Sequence, residues 1–260
     1  MKRTLLLVPT QYELSMIDPE VLRTWRESNV QDAPLESLEP AHHDENRIRL
    51  SDSVVSSKSQ ISIALCGFGL AVAGARTAQL LAALQPDHVI LMGIAGRLGN
   101  TLKVGQAYCF SEVCCYGIGA GTGSNYQTSS ELGWMHWNGD EANAATNDLA
   151  VPVSDQITLD SLQSSGHSLE RLNLLSVASA SGDDEDTKLK LTKYPDAVAE
   201  EMEGFAVAAA CQLAGVPLSI VRGISNQAGD RNHKNWCVRE AMESVVVLVN
   251  SLLASEQVSS

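Results

Sequence analysis

The residues most able to do chemistry are concentrated between positions 201 and 236. Two carboxylates, Glu201 and Glu203, precede a run of small apolar residues at 206–214, which predicts a buried helix. The apolar segment 216–225 then predicts a short buried strand. The polar and aromatic residues at and beyond its carboxyl end are Ser225, Asn226, Asp230, Arg231, Asn232 and Trp236. Carboxylates, a helix and a strand that ends on polar groups are typical of small-molecule sites in α/β proteins.

A third carboxylate, Glu13, follows the first apolar run of the chain, residues 4–8. This run predicts a strand buried on both faces, as in a parallel sheet, with a helix after it. Glu13 therefore lies where the first strand meets the first helix. From position alone, an ordinary first-turn acid favoured by the helix dipole explains Glu13 at least as well as a role in a site.

Two glycines, Gly67 and Gly69, separate a predicted strand at 61–65 from an alanine-rich helix at 70–84. They do not match a dinucleotide-binding loop, because the third glycine, Gly74, comes too late. Glycines at this position indicate instead that the backbone closely approaches another group at a helix N-terminus.

The predicted strand ends identify five possible contributors to one crevice, since parallel strands present their carboxyl ends at the same edge of a sheet. They lie at Glu13, Gly67, Gly93–Gly96, Gly182 and Asn226. Asp183 and three further acids follow Gly182 directly. These acids could bind a cation, but an exposed acidic loop is the commoner interpretation.

The composition limits the class of partner. The chain has 260 residues, 44% of them hydrophobic, and a formal net charge of −13. Such acidity argues against binding to nucleic acid or to an anionic membrane, so we expect a small-molecule partner. The apolar run 4–8 is too short for a signal sequence or a membrane span, and we expect a cytoplasmic protein. Its six cysteines form no CxxC or zinc pattern and predict buried thiols.

The length suits a single α/β domain, which we place at 1–254, with a disordered tail at 255–260. Further strands are predicted near 47–55, 89–92, 104–110 and 174–180, and helices near 19–28, 189–194 and 236–253. The cluster His42-His43-Asp44-Glu45 reads as a solvated loop rather than a metal site. Within the polar region 117–150, Trp134 and Trp137 predict either a lid over a ligand or a loop anchored by its rings.

Four motifs, taken in chain order, resemble those of the nucleoside phosphorylase/hydrolase family. They are Pro86-Asp87 with Met92-Gly93-Ile94-Ala95-Gly96, then Glu201-Met202-Glu203-Gly204, then Val221-Arg222-Gly223-Ile224-Ser225-Asn226, and finally Gly229-Asp230-Arg231 with Trp236. The resemblance covers most of the chain, from Leu5 to about Leu253. It implies a phosphorylase/hydrolase-like three-layer α/β/α fold with a mixed central sheet. It also implies a homo-oligomer, a nucleoside substrate, and no metal or organic cofactor.

The family cleaves the bond between ribose and purine through a transition state like an oxocarbenium ion. By resemblance, Met202 and Glu203 hold the ribose. Glu13 matches the general base that takes a proton from the attacking water. Arg222 matches the arginine that places this water or organises the carboxylates. Asn226 matches the residue that contacts the purine at N7 and O6.

The remaining binding residues implied by the resemblance are Gly93, Ile94, Ala95, Gly96, Gly182 and Asp183. Adenine-releasing relatives carry an aspartate, a proton donor to N7, where this chain has Asn226. An amide can donate to a 6-oxopurine but is no acid, which favours hypoxanthine as the leaving group.

Two positions distinguish water from phosphate as the nucleophile. Phosphorylases of this fold carry an arginine and a serine at the positions of Leu91 and Ile94. Without those contacts a buried phosphate is poorly compensated, so hydrolysis is favoured, although Arg97 lies nearby in the sequence. With Ile94 in place of a serine, backbone groups of Gly93–Gly96 would have to position the water. A purine nucleoside phosphorylase or an adenosyl-type nucleosidase is the alternative enzyme, and a catalytically silent nucleoside-binding protein is the alternative of another class.

Overall fold

The computed structural model describes residues 2–27, 59–138, 152–159 and 171–258. Its strands are β1 (Lys2–Val8), β2 (Ser59–Leu65), β3 (His88–Arg97), β4 (Ala107–Phe110), β5 (Glu112–Tyr116), β6 (Gly119–Ala120), β7 (Gln127–Thr128), β8 (Gln156–Thr158), β9 (Asn173–Val177), β10 (Ala197–Glu201) and β11 (Leu218–Gln227). Its α-helices are α1 (Gln11–Ser15), α2 (Pro19–Glu27), α3 (Gly69–Leu84), α4 (Asp184–Lys193), α5 (Gly204–Leu213) and α6 (Val238–Val258). None of the helices in these ranges is long and apolar enough to cross a membrane.

Nine of these strands form one mixed sheet, in the order β2-β1-β3-β10-β9-β5-β8, with β11 paired to both β3 and β4. Strand β3 lies at its centre. Its first half pairs in parallel with β1, its whole length pairs in parallel with β11, and its last two residues pair antiparallel with β10. The strands therefore diverge around the second half of β3, and this divergence opens a crevice at the carboxyl ends of β1 and β11.

Apolar residues alternate between the two faces of the sheet. In β1, Leu5 and Leu7 join a core with α3 and α5, whereas Leu6 and Val8 join a second core with α2 and α6. A strand that is buried on both faces must be covered by helices on both sides. The predicted three-layer α/β/α fold with a mixed central sheet is thereby confirmed.

The glycine-rich segment after residue 92 was expected to end a strand, and this prediction is wrong. Strand β3 continues through Gly93 and Gly96 to Arg97, because β11 supplies a partner for this segment and β10 pairs with its end. Glycine weakens an isolated strand, but a ladder on each side of a central strand compensates for that weakness.

Several other boundaries also differ from the sequence prediction. Strands β5 and β10 were not predicted, and α4 begins at Asp184 rather than near 189. The last helix continues to Val258, past its predicted end near residue 253. The predicted strand near 47–55 and the cluster at 42–45 lie outside the described residues.

All six cysteines are free, and burial raises the pKa of Cys66 to about 12.

Candidate active site

The crevice beside β3 contains a cavity of about 260 Å³. Its walls come from the β1–α1 junction, the end of β3, the β10–α5 junction and the end of β11. The lining residues that matter for the site are Thr10, Glu13, Ile94, Ala95, Gly96, Glu200, Glu201, Met202, Glu203, Ser225, Asn226, Arg231 and Trp236. Of the predicted contributors to one crevice, Glu13, residues 94–96 and Asn226 line this cavity, whereas Gly67 is not part of its described lining.

Glu13 is held at the cavity by the capping box of α1. Thr10 is the N-cap, and its backbone N and its Oγ1 donate to Glu13 Oε2 at 3.1 and 2.7 Å. The other oxygen, Oε1, accepts from the backbone N of Ile94 at 3.0 Å. The side chain is 95% buried. Glu13 is therefore both a first-turn helix residue and an oriented carboxylate in the cavity wall.

Glu201 and Glu203 have different environments although they are two residues apart. Glu201 accepts hydrogen bonds from the backbone N of Glu203 and of Gly204, and from Ser176 Oγ, and it pairs with Arg222. Its oxygens are thus committed to the N-terminus of α5 and to the arginine. Glu203 accepts only from the backbone N of Gly69, at 3.0 Å, among the described residues. Glu203 is therefore the carboxylate free to receive a ligand.

Gly69 explains the glycines that the sequence placed at the start of α3. Its φ is +79°, in the left-handed region, and its N–H points at Glu203 Oε1. The group approached at this helix N-terminus is therefore the carboxylate of Glu203.

Burial, and next the negative charge of Glu201, raise the pKa of Glu203 to about 7. The guanidinium of Arg222, 3.5 Å from Glu203 Oε2, acts in the opposite direction. Glu203 can therefore change its protonation state near neutral pH.

Arg222, predicted to place the water or to organise the carboxylates, does not itself line the described cavity. It is fully buried behind Glu201 and Glu203. Its Nη2 contacts both carboxylates, whereas its Nε and Nη1 have no hydrogen-bond partner among the described residues. Buried N–H groups without an acceptor are costly, so Nη1 is a candidate donor to a bound molecule.

Gly93 also lies outside the cavity lining, and its role is to leave space. A Cβ at this position would overlap Arg222 Nη1 and would lie 2.6 Å from Glu13 Oε1. Because Gly93 has no side chain, Arg222 Nη1 and Glu13 Oε1 both face the space that a Cβ would fill.

Asn226 is 93% buried at the end of β11. Its Oδ1 lies 2.7 Å from Ser225 Oγ, which donates to it, and its Nδ2 donates to the backbone O of Gln227 at 2.7 Å. These two bonds define which end of the amide is the NH₂ group. The second hydrogen of Nδ2 has no acceptor in the described part of the chain and is available to a ligand.

The structure brings Glu13, Ile94, Ala95, Gly96, Met202, Glu203 and Asn226 to one cavity. It does not bring Gly182 and Asp183, the other predicted binding residues, to the described cavity lining. Asp183 is the N-cap of α4 and accepts from the backbone N of Glu185 and of Asp186, while Gly182 N donates to Asp186. The acidic loop is thus the start of a helix, whose exposed N–H groups its carboxylates satisfy.

The tryptophans at 134 and 137 do not line the cavity either. Trp137 forms a bridge with Val153, and both rings are partly exposed. The aromatic residues that do line the cavity are Tyr12, Phe68 and Trp236. The sequence did not identify Tyr12 and Phe68 as site residues, because they follow strand ends without belonging to a motif. It also did not identify Glu200, which directly precedes the predicted pair Glu201 and Glu203.

Few positively charged side chains lie near the site. Arg231 is the one basic residue in the described cavity lining, and it lies 5.5 Å above the ring of Trp236. Arg97 donates to Gln227 Oε1 and to the backbone O of Leu102 and does not line the cavity. The described residues contain no group of three or more His, Cys, Asp or Glu side chains placed to hold a metal ion.

Comparison with known proteins identifies the family of the chain. The family model of the phosphorylase superfamily matches residues 26–254. The 5′-methylthioadenosine/S-adenosylhomocysteine nucleosidase of Bacillus pumilus is 27% identical over 187 residues, 70% of this chain and 74% of that protein. The futalosine hydrolase of Acidothermus cellulolyticus is 31% identical over 180 residues, 69% of this chain and 70% of that protein. The solved structure of futalosine hydrolase from Helicobacter pylori superposes with a TM-score of 0.65 at 16% identity, covering 97% of both chains. The chain belongs to the phosphorylase superfamily.

Proposed function

We propose that the protein hydrolyses the N-glycosidic bond of a purine nucleoside and that its substrate is futalosine. One observation carries the proposal. Glu13 Oε1 and the unpartnered Nη1 of Arg222 both approach the space left by Gly93, beside a cavity that also contains Glu203 and Asn226. A base, a donor, a ribose acceptor and a purine donor are the four groups that this hydrolysis requires.

In the proposed reaction the oxygen of a water molecule bonds to C1′ of the ribose as the C1′–N9 bond breaks. The electron pair of the broken bond leaves with the purine. Glu13 takes a proton from the water, and Arg222 Nη1 donates to the water oxygen. Glu203 accepts from the ribose hydroxyls, and its negative charge favours the oxocarbenium-like transition state. Asn226 donates its second N–H to N7 or O6 of the departing base.

The charge of the cavity favours water over phosphate. Its described lining contains four carboxylates, Glu13, Glu200, Glu201 and Glu203, and a single basic residue at the rim, Arg231. In the sequence, the presence of Arg97 left phosphorolysis possible. In the structure, Arg97 lies outside the described lining and donates to two neutral acceptors. A phosphate dianion would meet four carboxylates against two guanidinium groups, Arg231 and Arg222, and Arg222 is already paired with Glu201.

The aromatic rim supports a substrate with an aryl substituent at the 5′ position. Tyr12 and Phe68 are more than half exposed at the cavity, and Arg231 lies above Trp236. Futalosine carries an aryl ketone with a carboxylate at its 5′ position. Its ring could stack on these aromatic side chains while Arg231 binds its carboxylate. Loss of hypoxanthine from futalosine gives dehypoxanthinyl futalosine, an intermediate of menaquinone biosynthesis.

Two other activities remain as alternatives. The nucleosidase of Bacillus pumilus, by its name, acts on 5′-methylthioadenosine and S-adenosylhomocysteine. Asn226 argues against adenine as the leaving group, since an amide cannot supply a proton to N7. A purine nucleoside phosphorylase is the second alternative, and the acidic lining argues against it.

Product analysis tests the proposal. Purified protein is incubated with futalosine, inosine or 5′-methylthioadenosine, with and without phosphate, and the released base is separated by chromatography. We expect hypoxanthine from futalosine at the same rate in both buffers. Phosphate-dependent release, or faster release of adenine from 5′-methylthioadenosine, would overturn it. The predicted homo-oligomer and cytoplasmic location are tested separately, by analytical ultracentrifugation and by cell fractionation.

A further inference from the structure

Thr10 makes two hydrogen bonds to the base of the proposed mechanism. It is a half-buried residue of the cavity lining and lies between β1 and α1. Its backbone N donates to Glu13 Oε2 at 3.1 Å, and its Oγ1 donates to the same oxygen at 2.7 Å. A carboxylate oxygen has roughly two acceptor sites, so Thr10 alone fills both sites of Oε2.

The direction of the Thr10 O–H bond is fixed by its neighbours. Thr10 Oγ1 also accepts from the backbone N of Glu13 at 3.2 Å, so an N–H already occupies its acceptor side. An ionised Glu13 carboxylate has no hydrogen to donate. The hydroxyl hydrogen of Thr10 therefore points at Oε2, and the β-branched side chain holds its rotamer at little cost in entropy.

The backbone before Thr10 is anchored to the end of β2. Cys66 N donates to the carbonyl O of Val8 at 2.9 Å, and Gly67 N donates to that of Pro9 at 3.0 Å. The ring of Pro9 also fixes its own φ. Thr10 therefore presents its two donors to Glu13 from a chain segment that is held on its N-terminal side.

The two oxygens of Glu13 are consequently unequal. Oε1 accepts one hydrogen bond in the described part of the chain, from the backbone N of Ile94 at 3.0 Å. It keeps an acceptor site, and it lies 2.6 Å from the point where a Cβ of Gly93 would stand. Arg222 Nη1, which has no partner among the described residues, faces the same point. A water molecule held there reaches Oε1 and not Oε2.

We propose that Thr10 is a positioning residue for Glu13: it occupies Oε2 and so directs the proton of the attacking water to Oε1. The inference rests on the proposed hydrolysis, in which the water oxygen bonds to C1′ as its proton passes to Glu13. Without the Thr10 hydroxyl, Oε2 loses the shorter of its two hydrogen bonds, and the carboxylate is free to rotate. Rotation moves Oε1 away from the water, and a misplacement of about 1 Å can cost about 10²-fold in rate.

Three substitutions separate this role from helix capping, the usual role of an N-cap threonine. Thr10→Ser keeps the acceptor for Glu13 N and the donor to Oε2. Thr10→Asp keeps the acceptor, and aspartate caps a helix as well as serine does, but its carboxylate cannot donate to Oε2. Thr10→Val keeps the shape of the side chain and loses both hydrogen bonds.

Steady-state kinetics on the nucleoside that the protein cleaves fastest measure kcat and KM for each variant. We expect Thr10→Val and Thr10→Asp to lower kcat by roughly 10- to 100-fold at unchanged KM, because the position of the base matters only in the transition state. Thr10→Ser should retain most of the wild-type kcat. A wild-type kcat in Thr10→Asp would mean that Thr10 only caps the helix, which overturns the inference.

Thr187 of α4 provides a matched control. It is buried, its Oγ1 donates to the backbone O of Asp184 at 2.8 Å, and it lies outside the described cavity lining. Thr187→Val removes a buried threonine hydroxyl by the same substitution and should leave kcat and KM unchanged. An equal fall of kcat in Thr187→Val would make the effect at position 10 non-specific and would overturn the inference.

A readout without turnover separates this inference from the proposed function. The N–H of Ile94 donates to Glu13 Oε1, so its hydrogen exchange, followed by NMR, reports whether the carboxylate stays in place. We expect exchange roughly 10-fold faster in Thr10→Val and Thr10→Asp, and wild-type exchange in Thr10→Ser. That result supports the inference even if futalosine is not cleaved. Unchanged exchange of Ile94 in Thr10→Asp overturns it even if futalosine is cleaved.

Discussion

Replacing Arg222 by methionine removes the cation buried beside Glu201 and Glu203. The guanidinium is fully buried, pairs with Glu201, and lies 3.5 Å from Glu203 Oε2. Methionine keeps much of the length of the side chain, so the main loss is the positive charge. Glu201 then retains only its hydrogen bonds to Ser176 and to the start of α5.

Removing one partner of a buried ion pair costs about 3 to 5 kcal/mol of unfolding free energy. The loss should depend on pH. In the wild type, the pKa of Glu203 is raised from its ordinary value to about 7. Between these two pKa values the folded protein binds more protons than the unfolded protein. The free energy of unfolding therefore falls as the pH rises through this range. Because Arg222 lowers this pKa, its removal raises the pKa further and extends the window upward. The loss of unfolding free energy caused by Arg222→Met is therefore larger at high pH than at low pH.

Urea unfolding followed by circular dichroism at about pH 5.5 and about pH 8.5 measures both effects. Arg97→Met is the matched control, because its guanidinium donates to two neutral acceptors, Gln227 Oε1 and the backbone O of Leu102. Its loss should be smaller, about 1 to 3 kcal/mol, and equal at the two pH values. A loss below about 1 kcal/mol for Arg222→Met, or one that does not grow with pH, would refute this account of the site.

Three further predictions concern the cavity. Glu13→Gln should lower kcat for hypoxanthine release by about 10²- to 10⁴-fold while the folded protein persists in thermal melts, since an amide cannot take a proton; a smaller loss would exclude Glu13 as the base. Gly93→Ala should lower both Tm and kcat, because its Cβ would lie 2.6 Å from Glu13 Oε1; Gly74→Ala, whose Cβ would meet Ala206 at an ordinary 3.4 Å, should keep both or raise Tm. In steady-state kinetics, Trp236→Ala should raise the KM for futalosine and Trp134→Ala should not, because of these two rings only that of Trp236 lines the cavity. The reverse result would support a lid formed by residues 134–137.

Much of the fold was predictable because its central strands are short apolar runs that end on glycine or polar residues. Strand β1, helix α3 and strand β11 lie within a few residues of their predicted positions. Strand β10 was missed because it ends on Glu200 and Glu201, two charged residues that no single-sequence pattern assigns to a buried strand. Its stability depends on partners far away in the sequence, namely Lys190, Ser176 and Arg222.

The sequence by itself determined the family motifs and the residue types available for chemistry. Glu13 and Asn226 follow predicted strands, and the carboxyl ends of parallel strands meet at one edge of a sheet. Glu203 could be placed only before a helix, because strand β10 was not predicted. Together with the resemblance to the family, the amide at position 226 predicts a 6-oxopurine.

Only the tertiary structure decided what each of these groups faces. It separated Glu201, whose oxygens are committed to a helix start and an arginine, from Glu203, which is available to a ligand. It placed Arg222 against Glu201 and Glu203, and it placed Glu200 and Asn226 on opposite sides of Gly96. Burial, unpaired hydrogen-bonding groups and neighbouring charges set these roles, and all three arise from contacts between residues that are distant along the chain.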